Sequence, residues 1–233
     1  MALTAIVAAL HQEIAAVLAL MPDEHKRVSG GREFWTGHLH GHEVVVVLSR
    51  VGKVAAATTA TALIERFGVS RIVFTGVAGG LAPGVAVGDV VVADTFMQHD
   101  LDASPLFPRY EVPMTGLSRL RSDPALSDAL AAAAGAAMPA ARVHRGLVLS
   151  GDRFICTAAD GLALQRALPE ALAVEMEGAA VAQVCHDYGI PFAALRTISD
   201  RADDAAHVDF LSFVDTVASR YSAAIVKALL ASL

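Results

Sequence analysis

Cysteine, aromatic residues and runs of positive charge are all scarce in this chain of 233 residues. The two cysteines, Cys156 and Cys185, are too few and too far apart for a disulfide framework or a zinc knuckle. Such usage fits a reducing compartment, so a cytoplasmic protein is expected. Aromatics amount to 6%, and the net charge of −6 comes from interspersed acids and bases. No basic stretch alternates with aromatics as a nucleic-acid groove requires, so no nucleic-acid partner is expected. The first twenty residues are apolar, but they lack a basic leading segment and carry His11, Gln12 and Glu13 in their middle. That argues against a signal peptide and for a strand followed by a helix, and no membrane partner is expected. Repeats, low-complexity linkers and breaks in composition are also missing, which points to a single domain over residues 1–233. What the chain has in quantity is apolar side chain, 55% of its residues, enough for one large core.

The apolar residues alternate between strand-like and helix-like spacing. Leu3 to Leu10 is a continuous run of strand length, and Ile14, Val17, Leu18 and Met21 recur at helical intervals. Phe34–Leu39 and Glu43–Leu48, joined by His40-Gly41-His42, predict a hairpin. A helix over 54–67 stopped by Gly68, a strand over 71–75 and another over 88–93 follow. Residues 103–117 hold Pro105, Pro108, Pro113 and Gly116 around Phe107 and Tyr110, a long irregular loop of the kind that serves binding or an interface. Further on, helices are expected over 122–136 and 157–168, strands over 142–150, 172–174 and 192–198, and a helix over 178–186. One final helix is expected from Phe210 to Leu230, with Phe213, Val217, Tyr221 and Ile225 on its apolar face. The fold class is α/β.

Three acids interrupt this apolar pattern where strands end: Glu175, Glu177 and Asp200. Ligands in open α/β sheets collect outside the carboxyl ends of strands, which makes these acids site candidates. Each also has a structural reading, Glu177 as a first-turn acid on the helix dipole and Asp200 as a cap. The run Thr75-Gly76-Val77-Ala78-Gly79-Gly80 follows a buried strand. It is either a tight turn or a place where backbone amides approach a ligand closely. Its spacing fits neither the dinucleotide fingerprint nor the P-loop.

Val174-Glu175-Met176-Glu177-Gly178-Ala179-Ala180, with Arg196-Thr197-Ile198-Ser199-Asp200 behind it, resembles the signature of the bacterial 5′-methylthioadenosine/S-adenosylhomocysteine nucleosidases of the nucleoside phosphorylase superfamily. Gln12-Glu13, Gly52-Lys53-Val54, the glycine run, Gly88-Asp89, Ser150-Gly151-Asp152-Arg153-Phe154-Ile155 and Phe210 extend the likeness along almost the whole chain, in the family's order. The resemblance implies a three-layer α/β/α fold with a twisted mixed sheet and a homodimer. It also implies hydrolysis of the bond between adenine and thioribose, with a small purine nucleoside as partner and neither metal nor organic cofactor. On this likeness Asp200 protonates the purine, next to Ser199, and Glu13 activates water. Glu177 and the Met176 backbone hold the ribose hydroxyls, and Arg196 fixes nearby carboxylates such as Glu175 unless it is simply a paired buried cation. Phe154 stacks on the base, the Ile155 backbone reads its edge, Phe210 closes the apolar side, and Gly79 belongs to the ligand-facing glycine run. For both phenylalanines plain core packing is the other reading.

Three positions depart from the family pattern: Val77 stands where a serine is usual, Arg50 where a glycine is usual, and Ala8-Ala9-Leu10 where Gly-Ala-Met is usual. Val77 removes a hydroxyl near the nucleophile, and Arg50 adds a possible anion-binding group. A phosphorylase, a nucleosidase for a related purine nucleoside such as a futalosine-like one, and a non-catalytic nucleoside-binding protein are the competing readings.

Overall fold

A computed structural model describes residues 3–213 and 219–232. Eleven strands form one mixed sheet in the order β2-β3-β4-β1-β5-β11-β6-β10-β9-β7-β8. These are β1 (Thr4–Ala8), β2 (His25–Ser29), β3 (Arg32–Leu39), β4 (His42–Leu48), β5 (Arg71–Phe74), β6 (Val77–Gly80), β7 (Val90–Gln98), β8 (Leu120–Arg121), β9 (Val143–Ser150), β10 (Ala171–Glu175) and β11 (Phe192–Asp200). The helices are α1 (His11–Leu18), α2 (Lys53–Phe67), α3 (Pro124–Ala137), α4 (Ala158–Ala167), α5 (Gly178–Tyr188), α6 (Ala206–Phe213) and α7 (Ser219–Leu230).

The strands at the centre read as near-continuous apolar runs because both of their faces are covered. Ala56, Ala60 and Leu63 of α2 pack with Ala179, Val181 and Ala182 of α5 on one face. Ile14 and Val17 of α1, Leu126 and Leu130 of α3, and Ile225, Val226 and Leu229 of α7 cover the other. This is the three-layer α/β/α arrangement with a mixed sheet. Among the described residues, no helix is long and apolar enough to cross a membrane.

One strand organises the site. The first residues of β11 pair with β5, and its later ones pair in parallel with β6 and antiparallel with β7. Because β7 also pairs with β9, and β9 with β10, strands β11, β6, β10, β9 and β7 close into a ring. Strand β10 runs antiparallel to β6 and β11 parallel to it, and the register sets both Val174 of β10 and Asp200 of β11 opposite Gly79, which brings the last residues of the two strands to either side of β6.

The structure differs from the sequence expectations at several places. The glycine run is no loop: residues 77–80 form β6, inserted between β10 and β11. Its glycines are needed for close approach, since a Cβ on Gly79 would lie 2.8 Å from an Asp200 carboxylate oxygen. Strand β2, sequence His-Lys-Arg-Val-Ser, was invisible as a strand because it is an exposed edge with no apolar alternation. Strand β7 runs from Val90 through Gln98, past the end expected at residue 93. Helix α6 begins at Ala206, before Phe210, and Val217 lies outside the described residues.

Candidate active site

Glu13 stands in the first turn of α1, directly after β1. Its carboxylate accepts hydrogen bonds from the backbone N–H groups of Ala9 (2.9 Å), Leu10 (2.8 Å) and Val77 (3.1 Å). These donors hold both oxygens in place. Burial nevertheless raises its pKa, and the N–H bonds together with the Arg196 charge only partly offset that.

A β-bulge shapes the opposite wall. The register of β11 against β6 shifts between Ile198 and Asp200, so an extra residue is accommodated there. Successive strand residues normally point to opposite faces, but here Ser199 and Asp200 both border the same cavity. Ser199 donates its hydroxyl to Asp200 Oδ2 at 2.8 Å, and the Ala202 N–H donates to Oδ1 at 2.9 Å. Desolvation outweighs these bonds and raises the Asp200 pKa, which favours the protonated acid.

Glu175 and Glu177, two residues apart, have separate jobs. Glu175 caps α5: its carboxylate accepts from Gly178 N–H (2.8 and 2.9 Å) and Glu177 N–H (3.2 Å), and it also takes the Ser150 hydroxyl. Arg196 donates to it through Nη2 at 2.7 Å and Nε at 3.2 Å, in a pair whose side chains are each 2% exposed. The first-turn role that the sequence offers to Glu177 thus belongs to Glu175. Glu177 makes no side-chain cap and instead accepts the Gly52 N–H at 2.7 Å. Burial and then the Glu175 charge push its pKa up to about 8. Gly178 has no alternative at the start of α5, because a Cβ there would overlap the Phe96 ring at 2.2 Å.

These groups surround one cleft with about 490 Å³ of free space, part of it open to solvent. Glu13, Gly79, Phe154, Glu175, Met176, Glu177, Ser199, Asp200 and Phe210 all border it. Ile155 borders an inner recess that shares Gly79, Phe154, Met176 and Asp200 with the main cleft. Phe154 and Phe210 meet edge to face at 5.5 Å between ring centres, although they come from a loop and from α6. Two arginines lie outside the lining of the main cleft, and Arg196 holds Glu175 as expected. Arg196 does not face the cleft; it lies behind Glu175, with its guanidinium on the carbonyls of Phe74 and Leu195 and over the Phe74 ring at 4.2 Å. Arg50 does not face it either and donates instead to the Gly31 carbonyl.

Sequence reading missed the apolar wall of Leu10, Val51, Ala78 and Val174 and the backbone donors of Ala9, Leu10 and Gly52. Only Gly52, whose φ of 96° calls for glycine, left a mark in the sequence.

The arrangement is an acid-rich, mostly apolar pocket: four carboxylates border the main cleft, and among the described residues no Lys or Arg does. The basic side chain on the inner recess, Arg153, is paired with Asp160. Residues 4–231 match the model of the Phosphorylase superfamily. Among solved structures, the chain is 35% identical to a 5′-methylthioadenosine/S-adenosylhomocysteine nucleosidase from Neisseria meningitidis in complex with methylthio-immucillin-A. That match covers 100% of both chains with a TM-score of 0.94. An S-adenosylhomocysteine nucleosidase from Streptococcus pyogenes in complex with 5-methylthiotubericidin is 33% identical over 100% of this chain and 97% of its own, with a TM-score of 0.93. A futalosine hydrolase of Helicobacter pylori is also 33% identical, over 100% of this chain and 98% of its own, at a TM-score of 0.91. The chain belongs to the phosphorylase superfamily and, within it, to the family of the 5′-methylthioadenosine/S-adenosylhomocysteine nucleosidases.

Proposed function

We propose that the protein hydrolyses the N-glycosidic bond of 5′-methylthioadenosine or S-adenosylhomocysteine, releasing adenine. Rupture of that bond leaves a cation-like sugar and a base that must take a proton. Asp200, whose burial favours the protonated acid, supplies the proton to the purine. Glu13, fixed by three N–H donors, orients a water and takes its proton. Glu177 and the Met176 backbone hold the ribose hydroxyls. Phe154 and Phe210 take the base and the apolar side, and Ile155 the edge of the base.

The carrying observation is the charge of the lining. A phosphorylase must draw a doubly charged oxyanion out of water, which calls for converging arginines or a comparable cationic set. Here the main cleft presents Glu13, Glu175, Glu177 and Asp200, and no cationic side chain among the described residues. A cleft without a cationic side chain offers phosphate no charge partner to replace its hydration. Incubation with 5′-methylthioadenosine and excess phosphate is expected to yield adenine and free methylthioribose at a rate independent of phosphate. A ribose 1-phosphate as main product, with phosphate-dependent adenine release, overturns this reading. Full-length likeness to a futalosine hydrolase supports a second reading, a nucleosidase for a related purine nucleoside, and the same assay run on futalosine decides it.

The working unit in this reading is a homodimer in which residues 104–116 reach the neighbour's cleft. Leu106 and Met114 in that segment are 83% and 90% exposed, apolar surface that a partner would bury. Sedimentation at micromolar concentration is expected to show a dimer, and a monomer there rules it out.

A further inference from the structure

Beside the catalytic cleft lies a second one, bordered by Arg32, Arg50, Val51, Gly52, Asp152 and the first turn of α2. Val51, half exposed, borders both. The two arginines are arranged unusually. Arg50 adopts a φ of 68°, a conformation that a glycine takes without strain and a side chain does not. Its guanidinium donates to the Gly31 carbonyl, and that of Arg32 donates to the carbonyls of Gly30 and Ala55, both at 3.1 Å. Their partners among the described residues are thus backbone carbonyls rather than carboxylates. Arg32 Nε is buried with no hydrogen-bond partner. Burial and then the Arg50 charge hold the Arg32 guanidinium below its usual pKa. The Asp152 carboxylate is engaged elsewhere: it accepts the Lys53 N–H at 2.8 Å and faces Lys53 Nζ at 3.8 Å.

This arrangement sits where the far end of a substrate would emerge. With the purine at Asp200 and Phe154 and the ribose at Glu177, the remaining wall is the apolar one of Leu10, Val51 and Phe210. Gly52, whose N–H binds Glu177, is two residues from Arg50, about 7 Å along the backbone, a span within reach of a short alkyl chain. We propose that the cleft between Arg32 and Arg50 is a subsite for a carboxylate at the end of the substrate's 5′ substituent, so that this protein favours nucleosides with an acidic tail. A carboxylate there gains two guanidiniums and relieves their repulsion. The proposal rests on reading the main cleft as a nucleosidase site.

The test uses two nucleosides of matched length, 5′-S-(3-carboxypropyl)-5′-thioadenosine and 5′-S-butyl-5′-thioadenosine. The wild type is expected to prefer the acid. Arg50→Gly, which relaxes the backbone and so keeps the fold, is expected to lower the acid-to-butyl ratio of kcat/KM about tenfold, through KM. Arg32→Gln is expected to act in the same direction, and raised salt to shrink the wild-type preference. Adenine release from the butyl compound tests the nucleosidase reading separately, and calorimetric Kd values read the same ratio if no adenine is released. A ratio unchanged in both variants overturns the proposal. So does binding of inorganic phosphate that Arg50→Gly abolishes while the ratio stays put, which would make the cleft a free-anion site.

Discussion

Asp200→Asn is expected to lower kcat by about 100-fold or more with the fold intact, because the amide keeps the shape of the acid but cannot give up a proton. The hydrogen bonds of Asp200 support this separation of activity from stability. Oδ1 accepts from the Ala202 N–H and Oδ2 from the Ser199 hydroxyl, so an amide oxygen still satisfies the Ala202 N–H, and the Ser199 hydroxyl can turn to accept from the amide. Glu13→Gln is the companion experiment and is expected to cost a similar factor. It is less innocent structurally, since Glu13 accepts three N–H groups through two oxygens and a glutamine offers only one. Single-turnover adenine release, read beside near-ultraviolet circular dichroism, separates chemistry from folding. A folded Asp200→Asn protein that retains near wild-type turnover removes Asp200 from the role of acid.

Arg196→Met is expected to cost stability rather than chemistry alone, by about 3–5 kcal/mol, because removing one partner leaves a buried charge uncompensated. Arg196 is buried and pairs with Glu175 through two nitrogens, and Glu175 in turn ties together Ser150, the Glu177 and Gly178 N–H groups and the start of α5. Methionine roughly fills the volume and removes the charge. The double variant Arg196→Met with Glu175→Gln is expected to recover a large part of the loss, since the stranded carboxylate is then neutral. Urea unfolding of wild type, both single variants and the double variant reads the coupling. A single-variant loss below about 1 kcal/mol, the range of an exposed ion pair, means that Glu175 is held by its N–H donors without Arg196.

The order of elements is legible in the sequence wherever burial imposes a period. Apolar runs of strand length mark β1, β5 and β11, covered on both faces, and Gly68 in left-handed geometry marks the end of α2. Asp123 before Pro124 and Thr157 before α4 do cap their helices, each accepting an N–H three residues on. Strand β2 leaves no such trace, because an edge strand facing water is under no apolar constraint. β6 is hidden for the opposite reason: the close approach of Asp200 and Ala202 to Gly79 demands glycine, which in sequence reads as a turn.

The sequence alone marked Glu175, Glu177 and Asp200 as site candidates, because they break otherwise apolar segments around the ends of β10 and β11, where burying a carboxylate is too costly to be incidental, while Glu13 was marked only by the family likeness. It could not assign their roles. Glu175 and Glu177 are the same side chain two residues apart, and only the tertiary structure gives one to Arg196 and the α5 amides and leaves the other for the cleft with a raised pKa. The same holds for Arg50, which reads as a cation near the pocket but points to the Gly31 carbonyl. Backbone N–H donors are alike in every residue but proline, so their convergence on Glu13 and Glu177 depends on where the closed ring of strands brings the chain, and no residue letter records that.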